Sequence, residues 1–482
     1  MVIHLVSKIK TYLRPVILGF TVLLICLGNA IHPFGKAASN TDSSVFLIIG
    51  KSMHQGLMPY RDLFDHKGPL LYVINWLGMF AGVVGVWLIE FLSLLLAVWL
   101  CYKTARRFFD ENASFFGTFV AFASLFPWFE GGNYTESYAI PLLFGGLYCL
   151  TGYFVQDFEL KPTQLLISGA CMGGILMLRP NMIGLFVGMC AVIFIHTLCI
   201  RKFRLIIRYI LFFIAGILLS IAPFLIWLGA IGALDEFYYC FIEFNFMYVD
   251  TQKSAVFDST ISLLNRPIVL LVSILSIIIF FLKKSNWKKP GFIVTLAMLA
   301  TLIMTVALST MSGRSYAHYY MVLLPCLVLP VAWLSKMCLA AKLTPVMIFI
   351  SFCLFLNRSL VVGAGWLVST FEADTKAHVA AKTIQENLAP DKTMIYVGNY
   401  CYLYLLSDRM SSGYYPYLSG AMQYPEMLEA YIESMEDAKP ALLVYGDRHL
   451  PDILQNYIDG HYTVIDDSDS YRIICKRIPE AE

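Results

Sequence analysis

Long apolar runs separated by short clusters of charge dominate the pattern of this chain. A helix rises about 1.5 Å per residue, so about 20 apolar residues cross a hydrocarbon core of about 30 Å. By that criterion the pattern predicts spans near residues 14–31, 83–102, 114–128, 137–155, 164–178, 181–200, 209–228, 267–282, 292–310, 320–338 and 343–362. The expected fold is an α-helical polytopic membrane protein of about eleven transmembrane helices. The stretch 69–82 is apolar but short and carries Tyr72 and Trp76, which reads as an interfacial helix.

The pattern changes after about residue 370, where charges become frequent and apolar runs shorten to strand length. Thr375–Leu388, Met427–Met435 and a stretch near 451–458 show helical periodicity. Met394–Val397, Ala441–Tyr445, Tyr462–Ile465 and Tyr471–Cys475 read as strands, and Asp466-Asp467-Ser468-Asp469-Ser470 as a hairpin turn. The expected organisation is a transmembrane domain over 1–369, with a large first outer loop at 32–82, and a small extracytoplasmic α/β domain over 370–482. Neither Gly398-Asn399 nor Gly446-Asp447 belongs to a glycine-rich phosphate loop, which argues against nucleotide binding there.

Composition agrees with the pattern: 58% of residues are hydrophobic and 14% charged, far from a soluble globular mixture. A formal net charge of +2 gives no basis for a nucleic-acid partner. The twelve cysteines lie mostly within apolar runs and form no metal-binding spacing, so neither zinc nor a disulfide framework is expected. The first segment starts like a signal peptide but offers no convincing cleavage site, and is read as a retained helix.

The location of charge sets the orientation. Basic clusters at Lys8/Lys10/Arg14, Lys103/Arg106/Arg107, Lys161, Arg201/Lys202/Arg204/Arg208, Lys283/Lys284/Lys288/Lys289 and Lys336/Lys342 fall at alternate connections. Cytoplasmic loops are enriched in Lys and Arg, so the N-terminus is placed in the cytoplasm and the C-terminus outside the plasma membrane. The other side then receives 32–82, the turns near 129–136 and 178–181, the segment 229–266, the turn near 311–319 and everything after 363.

The outer segments collect ionisable residues that plain connectors do not need. The first holds Asp42, Lys51, His54, Arg61, Asp62, Asp65, His66 and Lys67; later turns hold Glu136, Arg179, Arg314 and His318. Such groups at membrane depth usually face a protein cavity. Lys67, Arg179 and Arg314 suit a phosphate at the lipid surface. Tyr60, Tyr134, Tyr316, Tyr319 and Tyr320 are candidates to stack on sugar rings, although tyrosine is common at bilayer interfaces in any case. Sugar transfer from a lipid phosphate releases a stable phosphate anion, so one carboxylate suffices to take the acceptor's proton. Asp42 is the candidate base, at the opening of the outer segment, and Asp65 the runner-up.

Asp42-Ser-Ser-Val-Phe, followed by Gly56-Leu-Met-Pro59-Tyr60-Arg61-Asp62-Leu-Phe-Asp65-His66-Lys67-Gly-Pro69-Leu, resembles the first outer loop of bacterial GT-C glycosyltransferases. Tyr134-Thr135-Glu136, Leu178-Arg179-Pro180-Asn181 and His318-Tyr319-Tyr320 with Pro325 are similar to later signatures of the dolichyl-phosphate-mannose and aminoarabinose transferase-like group. The resemblance covers nearly the whole chain. It implies a polyprenyl-phosphate-linked sugar as donor, chemistry on the outer face, an envelope glycan, lipid or protein acceptor, and an acidic residue of the first outer loop as the catalytic group. Asp42 holds the matching position; Arg61, His66, Lys67, Tyr134, Glu136, Arg179, Arg314, His318 and Tyr319 are the expected substrate-binding set. Many relatives carry an acidic pair where Ser43 follows Asp42 here, so the resemblance admits a divalent metal without fixing its ligands. No WWD-type motif of the oligosaccharyltransferase branch is found. The competing readings are a lipid-linked-glycan flippase or transporter, for which internal repeats are expected and none is seen, and a noncatalytic partner in envelope glycan assembly.

Overall fold

The computed structural model describes residues 2–36, 40–250, 255–283, 289–314, 316–344, 359–372, 374–398, 400–418, 425–446, 450–469 and 472–479. In chain order the helices are α1 (Val2–Cys26), α2 (Thr41–Met53), α3 (Pro69–Met79), α4 (Gly82–Ala105), α5 (Glu111–Ala123), α6 (Thr135–Thr151), α7 (Pro162–Leu176), α8 (Gly184–Cys199), α9 (Phe203–Ala230), α10 (Leu234–Tyr238), α11 (Phe244–Asp250), α12 (Val256–Leu264), α13 (Pro267–Lys283), α14 (Pro290–Thr310), α15 (Leu324–Ala340) and α16 (Ser359–Ser369). They are followed by α17 (Thr375–Asn387), β1 (Met394–Val397), α18 (Tyr402–Ser407), α19 (Pro425–Ala438), β2 (Leu442–Tyr445), α20 (Asp452–His461), β3 (Tyr462–Asp469) and β4 (Arg472–Arg477).

Contacts divide the chain into two compact units. The helical unit comprises Met1–Asn29, Leu88–Trp227 and Val249–Val368; the second comprises Ala30–Trp87, Leu228–Tyr248 and Ser369–Glu482. Helices occupy every predicted span except 343–362, most of which lies outside the described residues, as do Lys284 and Lys288. Among the described residues, Gly82–Ala105, Phe203–Ala230, Pro290–Thr310 and Ala317–Ala340 are long and apolar enough to cross a membrane, and α12 with α13 forms a fifth candidate bent by 84°. The remaining apolar helices are shorter.

Small residues let these helices approach closely. A Cβ on Gly184 would lie 2.5 Å from Thr305 Cα, and one on Gly188 would lie 2.4 Å from the Thr301 nitrogen, so the Gly-x-x-x-Gly ridge of α8 seats directly on the α14 backbone. In the same way Gly169 of α7 meets the Phe213 carbonyl of α9. Most of α9's other surface is exposed, including Ile207, Leu218, Leu219 and Ile226, as a lipid-facing helix requires.

In the second unit the sheet has the order β1-β2-β4-β3. β1 and β2 pair in parallel and are buried along their whole length, while β4 pairs antiparallel with β2 and β3. Ala377, Ala380, Ala381 and Ile384 form the buried face of α17, at the spacing that brings side chains to one side of a helix. The expected turn at 466–470 is corrected. β3 runs on through Asp466–Asp469, which pair with β4 across two register shifts; an irregular edge strand tolerates polar residues that an interior strand would not. Ser470 and Tyr471 lie outside the described residues, as do Asn399 and Asp447. In the segment 32–82 the helix expected at 69–82 is present as α3, and a second helix that the sequence reading left as loop, α2, precedes it. Gly50 of α2 fits against the backbone of Asn75 on α3, where a Cβ would come within 2.8 Å. Burial of ten of the thirteen α2 residues supplies the driving force that its mixed polarity hides.

Candidate functional site

Each unit gathers part of the expected residue set. In the second unit, Asn40 caps α2 by accepting from the Ser43 N–H at 2.7 Å, which places Asp42 in the helix's first turn. There the positive end of the helix dipole favours a carboxylate. Asp42 is half-buried and takes no hydrogen bond from a described residue.

Asp65 is held very differently. It is 2% exposed; Oδ2 accepts from Tyr72 at 2.7 Å, and Oδ1 from Tyr417 at 2.7 Å and from the His66 N–H at 2.8 Å. Burial first, and then the charge of Asp65, push the Tyr72 and Tyr417 hydroxyls well above the ordinary tyrosine range; Asp42 adds to the effect on Tyr417. Both therefore remain donors at physiological pH. Hydrogen bonds to charged groups contribute about 1.5–3 kcal/mol, so Tyr417→Phe is expected to lower unfolding stability by about that much. Denaturant titration of the purified variant checks this, and an unchanged midpoint would show that the contact is energetically idle.

The segment leading to Lys67 is fixed along its length. Asp62 accepts from the Met58 N–H at 2.7 Å, and the Tyr60 hydroxyl, wholly buried, donates to the Lys67 carbonyl at 2.6 Å. Lys67 Nζ lies 2.6 Å from His66 Nε2, while His66 Nδ1 faces Asn245 Oδ1 at 3.2 Å; these partners assign the proton to Nδ1 and make Nε2 the acceptor. Arg61 is engaged by Asp62 at 2.7 Å and by the Ile231 carbonyl. Arginine here supports the loop through a local ion pair.

In the helical unit, Glu136 opens α6 and pairs with Arg179 at 2.7 Å. Glu136 also accepts from Thr135 Oγ1 at 2.8 Å, and Arg179 donates to the Tyr319 hydroxyl with its guanidinium 4.5 Å from that ring's centroid. His318 lies between two tyrosines, stacked on Tyr134 at 4.3 Å and on Tyr316 at 5.5 Å, and pairs with Glu130 at 3.0 Å. Arg314 donates to the Tyr316 hydroxyl at 2.9 Å. A shallow recess is lined by Arg266, Arg314, Thr310, Tyr316 and Tyr319, with the Arg266 guanidinium 4.2 Å from the Trp128 ring centroid.

Two of the five tyrosines proposed to stack on sugars are excluded by packing: Tyr60 and Tyr320 are wholly buried, the latter bonded to Ser124. Tyr316 is 44% exposed, although one face of its ring stacks on His318. Asn133 has no exposed surface and accepts from Tyr138, so its sequon is inaccessible. Glu90, Glu130 and Arg266 were not singled out by sequence. Glu90 had a signal, as the one acid in the 24-residue α4. Among the described residues no three His, Cys, Asp or Glu side chains converge into a metal site.

Comparison with solved structures places the fold. ArnT from Cupriavidus metallidurans, in a crystal structure bound to undecaprenyl phosphate, matches over 98% of both chains with a TM-score of 0.60 at 15% identity. Its apo structure matches with a TM-score of 0.59, over 96% of this chain and 98% of that one, also at 15% identity. The oligosaccharyltransferase AglB from Archaeoglobus fulgidus, in complex with an inhibitory peptide and a dolichol-phosphate, matches over 91% of this chain and 70% of its own, with a TM-score of 0.51 at 13% identity. The shared architecture is the GT-C fold of membrane glycosyltransferases. No curated protein matches in sequence. A family profile, the competence-induced protein Ccs4 N-terminal domain, matches residues 4–338, and the chain belongs to that family.

Proposed function

We propose that this protein is an inverting glycosyltransferase that moves one sugar from a polyprenyl-phosphate donor to an envelope glycan, lipid or protein acceptor on the outer face of the plasma membrane. The observation that carries the reading is the contrast between two carboxylates: Asp42 has no hydrogen bond to a described residue, whereas Asp65 accepts three. A general base needs a lone pair free for the incoming proton, so Asp42 is the base and Asp65 holds its surroundings.

In the reaction the acceptor hydroxyl attacks the sugar's anomeric carbon from the face opposite the phosphate. The C–O bond to the phosphate breaks, polyprenyl phosphate leaves as an anion, and the hydroxyl proton passes to Asp42. Lys67, in the same unit as Asp42, is the cation assigned to the phosphate oxygens. Arg179, already neutralised by Glu136, is assigned to orient Tyr319. Within the helical unit Tyr134, His318 and Tyr316 form a stacked platform that ends in the exposed Tyr316.

In this reading the chain crosses the membrane about eleven times, with its N-terminus in the cytoplasm and an outer domain over 370–482. Charge alternation and the placement of the described helices support it. Mass analysis of envelope glycans and lipid-linked precursors, with and without the gene, tests the function. Loss should remove a sugar from one surface polymer, lipid or protein and accumulate its polyprenyl-phosphate form; unchanged profiles would count against the reading.

A further inference from the structure

The helical unit contains a wholly buried carboxylate that the proposed reaction does not use. Glu90 lies within the apolar helix α4 and has no exposed surface. A charge in such a position is costly unless partners offset it. Glu90 has them. Oε2 accepts from Asn29 Nδ2 at 2.9 Å and Oε1 from the Asn133 N–H at 2.6 Å.

The second contact reaches an unusual turn. Glu130, Gly131, Gly132 and Asn133 all have positive φ, at 47°, 90°, 68° and 56°. The left-handed region is unfavourable for residues with a Cβ, least so for asparagine, so Glu130 above all needs an external hold. A Cβ on Gly132 would come within 2.7 Å of Glu90 Oε2, so the turn's backbone rests directly on the carboxylate. Tyr138 grips the turn's last residue by donating to Asn133 Oδ1 at 2.8 Å.

The turn carries the groups of the candidate site. Its first residue, Glu130, accepts from the His318 N–H at 3.1 Å and pairs with that residue's ring. The residue after the turn, Tyr134, stacks on His318, and two residues later Glu136 binds Arg179. We propose that Glu90 is a positioning residue: it clamps the left-handed 130–133 turn and thereby sets Glu130, Tyr134 and Glu136 against His318 and Arg179. The inference rests on the transferase reading for its kinetic consequence and on geometry alone for the clamp.

The test compares Glu90→Gln, Glu90→Ala and Gly132→Ala in full-length protein in lipid nanodiscs. Glutamine keeps an acceptor for the Asn133 N–H, and Asn29 can turn its amide to receive the new donor. Hydrogen exchange of the peptide containing Asn133 is expected to rise about tenfold or more in Glu90→Ala and Gly132→Ala, and to stay near wild type in Glu90→Gln, with α9 unchanged in all three. With a labelled undecaprenyl-phosphate sugar as donor, kcat should fall up to about 10²-fold in the two alanine variants, and Glu90→Gln should restore it. Wild-type exchange in both alanine variants would overturn the clamp, and loosened exchange with undiminished kcat would overturn its positioning role. If Glu90→Ala does not fold, Gly132→Ala against Glu90→Gln makes the same comparison. Wild-type protein that transfers no sugar would sink the functional reading alone, and the exchange data would still decide whether Glu90 holds the turn.

Discussion

Replacing Asp42 by asparagine is expected to reduce sugar transfer by about 10²–10⁴-fold while leaving the protein folded. The amide keeps the size of the carboxylate at the start of α2 but cannot take the acceptor's proton. The structural cost is small, because Asp42 has no hydrogen bond to a described residue and loses only its favourable position at the helix N-terminus, worth about 0.3–1 kcal/mol. Asp65→Asn should behave in the opposite sense. Its carboxylate accepts three hydrogen bonds, so the substitution disturbs stability before chemistry. Steady-state rates measured beside denaturation midpoints separate the two. An Asp42→Asn enzyme with wild-type kcat would remove Asp42 as the base.

The second large effect concerns the buried pair of the helical unit. The Glu136 side chain is 3% exposed and the Arg179 side chain 21%, so neither charge has much solvent to fall back on. Arg179→Met strands the Glu136 carboxylate, and breaking a buried pair from one side costs about 3–5 kcal/mol. Adding Glu136→Gln removes the stranded charge, so the double variant should recover much of that stability. Transfer should not recover with it, because the hydrogen bond from Arg179 to Tyr319 is lost in both. Equal destabilisation of the single and double variants would show that the pair contributes through packing rather than charge.

How far the sequence reaches differs by element. α9 and α14 were visible because each is a long apolar run, and β1 and β2 because each is a short one buried on both faces. α2 was hidden: Asp42, Ser43, Ser44 and Lys51 make Thr41–Met53 look like a solvated segment, and only packing against α3 and the sheet-bearing segments of its own unit explains its burial. Ser44 shows the point, since its hydroxyl accepts from the Cys401 N–H, 357 residues away.

The candidate residues were legible as types and not as partners. Arg179 reads from sequence as a phosphate-binding cation, yet the structure gives it to Glu136, 43 residues earlier. Asp65 reads as a possible base, yet Tyr417, 352 residues later, helps fix it in place. Pairings at such separations leave no local pattern. Glu90 is the reverse case, where a lone acid in an apolar helix carried a signal but its role depends on a turn 40 residues away in sequence whose backbone conformation no periodicity reveals.

Transfer of a sugar away from a lipid phosphate releases two products, and following both tests it. Purified protein in liposomes is given an undecaprenyl-phosphate sugar labelled in the sugar, together with an envelope extract as acceptor. Labelled sugar is expected on the acceptor with inverted anomeric configuration, one undecaprenyl phosphate being released for each sugar moved. Donor that stays intact, or that crosses the bilayer with its sugar–phosphate bond unbroken, would contradict it.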